Sequence, residues 1–210
     1  AIIKSNYPLA KNNFAKVITK QNVQRMMGII RNIPYVKDVK LIGFEKNEPI
    51  LYIERYPIIK SVHISGNKFY NKYELIPVAN IRVGTPVKSP MDKKQKMIER
   101  FLTQFYKNNG FLKASVKASV KSSKKGYVDV DIRIEEGDLY FIRYVYVNGK
   151  KFKNKDLPIG EIADIQNINK VYGLLRAKYK NAFVYQQAIK SSIMKKPFLS
   201  VLGTQKIKHN

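Results

Sequence analysis

The sequence predicts an α+β fold built from tandem modules. One reason is a repeat: residues 62–69 read Val-His-Ile-Ser-Gly-Asn-Lys-Phe, and residues 145–152 read Val-Tyr-Val-Asn-Gly-Lys-Lys-Phe. A block that returns at a fixed offset indicates a repeated structural unit. The other reason is that strictly alternating segments frame a segment with apolar residues at helical spacing. Each predicted module is a β-α-α-β-β unit, a three-stranded mixed sheet covered on one face by two helices.

Three modules account for the 210 residues, with predicted boundaries at 1–57, 58–138 and 139–210. Each is close to the smallest size at which a domain builds its own core. We expect the N-terminal part of the first module to be irregular or truncated. The C-terminal half of the third module diverges from the repeat.

The middle module has the clearest elements. Residues 58–65 alternate and end at Gly66-Asn67, which predicts a strand followed by a turn. A short helix is expected over 72–79. A longer helix begins near Pro90 and stops at Asn109-Gly110, since glycine readily takes the left-handed conformation that ends helices.

Two further strands complete this module as a hairpin. Residues 112–120 place apolar side chains at every second position, with lysine and serine between them, and residues 127–135 alternate in the same way. A turn centred near Lys124 would set Lys117 opposite Asp131 and Lys113 opposite Glu135, and such cross-strand pairs favour that register.

The flanking modules repeat parts of this order. In the first, we predict a helix over 21–31 and strands over 35–41 and 50–55. In the third, we predict a strand over 140–147 and a helix over 168–180. Two structures stay open after that helix: a hairpin of residues 183–191 and 198–207, which we favour, or a helix that continues towards Ser192.

The charge is strongly basic, with 40 Lys and Arg against 15 Asp and Glu, a net charge of +25. A field of this size attracts polyanions such as lipid headgroups, nucleic acid or acidic protein. However, 32 of the 40 basic residues are lysine, which compositional drift in an AT-rich genome also explains. Both explanations stay open.

No residue pattern indicates catalysis, a cofactor or a metal. The chain has no cysteine, and its two histidines, His63 and His209, have no partner at ligand spacing. The carboxylates Asp129, Asp131 and Glu135 alternate along one strand face opposite lysines, so pairing explains them better than acid–base chemistry. No apolar run is long enough to span a membrane, and the N-terminus lacks a secretory signal, so we expect a mature or excised fragment or a cytosolic chain.

Several short motifs together resemble the POTRA (polypeptide-transport-associated) domain. They are Ile64-Ser65-Gly66-Asn67-Lys68, Tyr106-Lys107-Asn108-Asn109-Gly110-Phe111, Ala114 and Glu135-Glu136-Gly137. The segments Glu54-Arg55-Tyr56-Pro57-Ile58-Ile59 and Glu135-Glu136-Gly137-Asp138-Leu139-Tyr140 are similar to the joints between modules in the outer-membrane β-barrel assembly family, which includes BamA.

This resemblance implies a soluble arm at the periplasmic face of an outer membrane, or in the intermembrane space of an organelle. Such arms receive unfolded outer-membrane proteins or bind accessory assembly subunits. Anionic lipid headgroups are a further candidate partner. Two-partner secretion transporters and plastid import channels are related alternatives.

An open three-stranded sheet has an edge whose unpaired backbone groups can accept an extended peptide as an added strand. In the POTRA fold the accessible edge is usually strand two. The candidate peptide-binding edge is therefore Leu112, Lys113, Ala114, Ser115, Val116, Lys117, Ala118, Ser119, Val120 and Lys121. The second candidate edge is Val36, Lys37, Asp38, Val39, Lys40 and Leu41. Lysines on an edge can alternatively prevent unwanted pairing.

A basic nucleic-acid-binding protein is the competing function. Lysine and tyrosine can form a charged groove with stacking platforms for single strands. The apolar stripes take many aromatic residues into predicted cores, and no nucleic-acid-binding motif is recognisable, so we expect nucleic acid not to be the partner.

Overall fold

The structure is a computed structural model, and it describes residues 19–45, 48–124, 126–147, 150–179, 182–189 and 198–205. Its helices are α1 (Lys20–Arg31), α2 (Lys72–Val78), α3 (Met91–Asn108) and α4 (Ile165–Lys178). Its strands are β1 (Val36–Glu45), β2 (Glu48–Arg55), β3 (Ile58–Ser65), β4 (Ser115–Ser122), β5 (Tyr127–Glu135), β6 (Phe141–Val147), β7 (Lys150–Lys151), β8 (Ala182–Ile189) and β9 (Phe198–Gln205).

These elements form three sheets with the strand orders β1-β2, β3-β5-β4 and β7-β6-β9-β8. By contacts, the chain divides into two compact units: the described residues of 1–62, 82–94 and 120–130, and those of 63–81, 95–119 and 131–210. The predicted module boundaries 1–57, 58–138 and 139–210 stay a prediction.

The first sheet is an antiparallel hairpin preceded by a helix. Thr19 caps α1, because its side-chain oxygen accepts a hydrogen bond from the Asn22 backbone N–H at 3.2 Å. The predicted helix and both predicted strands are confirmed. The part of this module expected to be irregular, residues 1–16, lies outside the described residues.

The middle sheet confirms the β-α-α-β-β order. Asn71 and Glu74 form a capping box at the start of α2. The predicted helix near Pro90 begins at Met91 and ends at Asn108, and Gly110 follows with φ of +92°. The start of β3 contacts the residue before β5, because Ile58 N–H donates to Gly126 O. The end of β3 contacts a later part of β5, because Ser65 Oγ donates to Ile132 O. The two strands therefore run parallel and the sheet is mixed.

The hairpin of β4 and β5 forms in a different register from the predicted one. The Ser123 backbone N–H donates to Tyr127 O at 3.0 Å, and Ser115 Oγ donates to Glu135 at 3.2 Å. The turn therefore centres one residue later, and Ser115 rather than Lys113 faces Glu135. The predicted pairing of Lys117 with Asp131 is wrong for the same reason. Cross-strand charge matching is worth too little to set the register against the turn geometry.

The third sheet confirms the predicted hairpin after α4. β8 pairs antiparallel with β9, which runs parallel to β6, so strand one is again beside strand three. A continuous helix towards Ser192 is excluded by β8. Between β6 and β8, α4 is the one α-helix among the described residues, where two were expected. The segment before it contains Pro158 and Gly160, with φ of +91° at the glycine, and both residues disfavour helix.

Candidate functional site

Strand β4 lies at one border of the middle sheet, as predicted for the peptide-binding edge. Among the described strands, the order β3-β5-β4 gives it one neighbour, β5. The predicted edge residues 115–121 belong to β4, while Leu112, Lys113 and Ala114 precede it. The alternation is also confirmed, because Val116, Ala118 and Val120 are buried.

The backbone of β4 presents alternate residues to the outside of the sheet. Because Ser123 N–H donates to Tyr127 O, odd-numbered residues of β4 form the ladder with β5. Backbone groups alternate between the two sides of a strand. The N–H and C=O groups of Val116, Ala118 and Val120 therefore point away from β5, towards the open border.

One of these outward groups already has a partner. Glu99, on α3, accepts a hydrogen bond at Oε1 from the Ala118 backbone N–H at 2.9 Å. Ile98 and Leu102 next to it on the helix are fully buried, so the helix backbone is fixed close to the strand. The sequence held a weak signal for this contact, since Glu99 is a carboxylate on a helix whose exposed face is otherwise rich in Lys and Arg.

The second candidate edge, residues 36–41 on β1, is occupied more fully. At Val39, which is completely buried, Arg31 Nη2 donates to the carbonyl oxygen at 2.9 Å and Asp38 accepts from the N–H at 2.8 Å. Lys37 pairs with Glu54 of β2 at 2.6 Å, and that hydrogen bond raises the pKa of Lys37. Side chains thus satisfy both backbone groups at the centre of this edge. Sequence reasoning did not identify Arg31 as a partner.

Strand two is again at a border in the third sheet. The order β7-β6-β9-β8 places β8 there, while the two-residue β7 pairs with β6 at the opposite border. Sequence reasoning did not include β8 among the candidate edges. Its identity as a strand was one of two open alternatives, so no edge could be assigned to it.

A buried carboxylate holds the loop after β3. Glu136 is 8% exposed and accepts hydrogen bonds from the backbone N–H groups of Lys68 and Phe69, at 2.9 and 3.0 Å, and from Tyr106 Oη at 2.9 Å. Burial and the hydrogen bond to Glu136 raise the pKa of Tyr106 well above 10.0. The phenol is therefore a permanent donor at neutral pH, and the segment next to β5 is fixed.

A basic pocket lies in the third sheet's unit, with a volume of about 390 Å³. Buried Val145 and Phe152 contribute to its wall. Its lining includes Arg143, Lys151, Lys153 and Lys155. The pocket brings several cations together beside an apolar wall, and it was not predicted.

The end of α3 is joined to the start of β6. Gly110 O accepts a hydrogen bond from the Tyr140 N–H at 2.9 Å. A Cβ at Gly110 would lie 2.6 Å from Ile162 Cγ2 and 2.9 Å from Leu139 Cδ1. Partly buried Leu112 packs against the core that contains Tyr140. This joint is close-packed, and glycine is the residue that fits it.

The described residues contain no group of three or more His, Asp or Glu side chains that could hold a metal ion. His63 lies on β3 and is described there, whereas His209 lies outside the described residues. Among the helices that the structure describes, none is long and apolar enough to cross a membrane.

Comparison with known proteins identifies the middle of the chain. Residues 57–137 match the family model for POTRA, described as "Surface antigen variable number repeat". The match begins at the joint before β3 and ends after β5, so it spans the complete β-α-α-β-β order.

Two solved structures share the fold at low sequence identity. The chain is similar to POTRA3-5 of BamA from Haemophilus influenzae, with a TM-score of 0.50, 18% identity, and coverage of 70% of this chain and 65% of that one. It is also similar to BamA from Haemophilus ducreyi lacking POTRA domains 1-3, with a TM-score of 0.50, 13% identity, and coverage of 71% of this chain and 29% of that one. The chain therefore spans less than two thirds of the length of these structures.

Proposed function

Because residues 57–137 form a POTRA domain, we propose that this chain is the periplasmic arm of an outer-membrane protein assembly or translocation factor. It binds unfolded client polypeptide, or accessory subunits, by adding a strand to a sheet edge. The observation that carries this proposal is the position of β4 at the border of the middle sheet. An organelle intermembrane space is the equivalent location for a plastid or other organellar relative.

Strand addition suits a client that has no fixed sequence. The outward backbone groups of Val116, Ala118 and Val120 would pair with the backbone of any extended segment, so affinity would depend little on its side chains. Lys117 and Lys121 are exposed on the solvent face of the same strand. They favour segments with acidic residues on that face, and they discourage pairing with another copy of β4.

Site-specific photo-crosslinking tests the edge. A photoreactive residue at Lys117 should crosslink to a urea-denatured outer-membrane β-barrel protein after dilution into buffer. The matched control position is Tyr73 on α2, whose side chain is 74% exposed and lies on a helix. Equal crosslinking at both positions would contradict edge binding.

A proline variant tests whether the backbone is responsible. Val120→Pro removes an outward N–H and leaves the ladder to β5 intact, because proline is tolerated where a strand N–H faces solvent. We expect client affinity to fall about fivefold, because one backbone hydrogen bond of about 1 kcal/mol is lost. Unchanged affinity, together with an unchanged circular dichroism spectrum, would refute strand addition at β4.

Nucleic acid binding is separated from client binding by the same reagents. If a poly-dT oligonucleotide binds and competes with the client, the basic surface rather than the β4 backbone is the shared determinant. If the oligonucleotide does not compete and Val120→Pro lowers client affinity, the strand edge carries the function. We expect the second result.

A further inference from the structure

The open border of β4 has an occupant that belongs to the chain itself. The Glu99 carboxylate accepts the Ala118 N–H at 2.9 Å. In an added strand, that N–H would donate instead to a backbone carbonyl of the client. One amide hydrogen makes one strong bond, so the carboxylate and the client carbonyl are alternatives at the same position.

We propose that Glu99 blocks this edge reversibly. An incoming strand must displace the Glu99 carboxylate from the Ala118 N–H before it can pair along β4. The inference rests on the proposed function and adds the residue that sets its selectivity. Ala118 is the middle of the three outward positions, between Val116 and Val120. A short segment that pairs across the centre of β4 must therefore displace Glu99.

The Glu99 side chain can leave Ala118 without movement of helix α3. Ile98 and Leu102 are fully buried next to Glu99, so packing holds the backbone of α3 in place. Glu99 itself is partly exposed, and rotation about its side-chain bonds brings the carboxylate into water. Expulsion costs the charge-assisted hydrogen bond, and solvation of the freed carboxylate offsets part of that cost.

Selectivity follows from this exchange. A segment long enough to bond to all three outward positions gains more hydrogen bonds than it displaces, whereas a brief contact gains little. The freed carboxylate stays on the α3 side of the added strand, and Lys117 and Lys121 lie on the solvent side. The preferred client is an extended segment with acidic residues facing the lysines and without acidic residues facing α3.

The test uses the whole chain and a labelled twelve-residue peptide of alternating Thr and Val, blocked at both ends. Because this probe is neutral, changing the charge of the protein does not affect it through long-range attraction. Glu99→Ala should bind it about fivefold more tightly than the unmodified chain, since no charge-assisted hydrogen bond has to be broken. Glu99→Gln retains a weaker acceptor and should show a smaller increase.

Two controls make the outcomes separable. Glu161→Ala removes the same charge from an exposed loop residue of the third module and should leave the affinity unchanged. A peptide N-methylated at alternate residues cannot pair and should not bind. If the N-methylated peptide binds as well as the parent, strand addition itself fails. If NMR shifts at Ala118 show pairing but neither Glu99 variant binds more tightly, the proposed role of Glu99 is wrong and the proposed function stands.

Discussion

At the scale of single residues, Glu136 and Tyr106 explain why the segment after β5 matters to the fold. Glu136 accepts three hydrogen bonds from groups separated from it by 30 to 68 positions in sequence. A buried carboxylate is tolerated when donors surround it, and each donor would be left unsatisfied without it. The Glu-Glu-Gly motif is therefore a structural requirement at its second glutamate.

The phenol of Tyr106 makes stability depend on pH in the alkaline range. Its pKa is raised above 10.0 in the folded chain, whereas in the unfolded chain it ionises at about 10. The stabilisation is complete below that pH, and it is lost as the pH rises above it towards the raised value.

We expect Tyr106→Phe to cost about 2 kcal/mol at pH 8, because one hydrogen bond to a charged group is removed. This difference should shrink by up to about 1.4 kcal/mol per pH unit above pH 10, since phenylalanine does not titrate. Urea unfolding of both proteins between pH 8 and 11 measures it. A constant difference across that range would show that Tyr106 titrates alike in both states.

At the scale of elements, the turn after β3 shows why glycine recurs in the repeat. Gly66 has φ of +81°, and a Cβ there would overlap the Ile134 carbonyl oxygen of β5. The left-handed backbone and the close approach of a parallel strand thus both require glycine at this position. Its counterpart Gly149 lies outside the described residues.

Gly84 provides a matched control for that position. It has φ of +84°, but a Cβ there would meet nothing within 4 Å. We expect Gly84→Ala to cost about 1 kcal/mol, the price of the backbone conformation alone. Gly66→Ala should cost about 3 kcal/mol or more, because β5 would also have to move. Equal changes in urea midpoint for the two variants would contradict the overlap with Ile134.

Sequence reasoning succeeded at this scale where the signal was local. The alternation in β5 and the stop at Gly110 identify elements almost to the residue, whereas the alternation before β4 begins three residues ahead of the strand. In the hairpin, the β4 residue that faces each β5 residue lies two positions later than predicted, because turn geometry outweighs weak charge pairs. The contact between Glu99 and Ala118 was missed because it joins a helix to a strand, and periodicity within either element does not contain it. The loop that replaces the first helix of the third module was missed although Pro158 and Gly160 were visible in the sequence.

For the whole molecule, the charge of +25 leads to a prediction about the proposed binding of clients. If it does, the field accelerates association with anionic segments, and salt reduces that acceleration. If the charge lies too far from the binding surface to act on the client, association is nearly insensitive to the charge of the client.

Stopped-flow mixing with two unstructured peptides distinguishes these explanations. For a peptide with four glutamates we expect the association rate constant to fall about tenfold between 50 and 500 mM NaCl. A neutral peptide of the same length should change by less than about twofold under the same conditions. Equal salt dependence of the two would show that the charge does not contribute to association.

The joint at Gly110 has a mechanical consequence. Because Gly110 O at the end of α3 accepts a hydrogen bond from the Tyr140 N–H, the segment after β5 is held at that point and does not rotate freely. A pull on β6 is transmitted directly to the C-terminal end of α3. Bending at this point requires that hydrogen bond to break and Leu112 to leave the core that contains Tyr140.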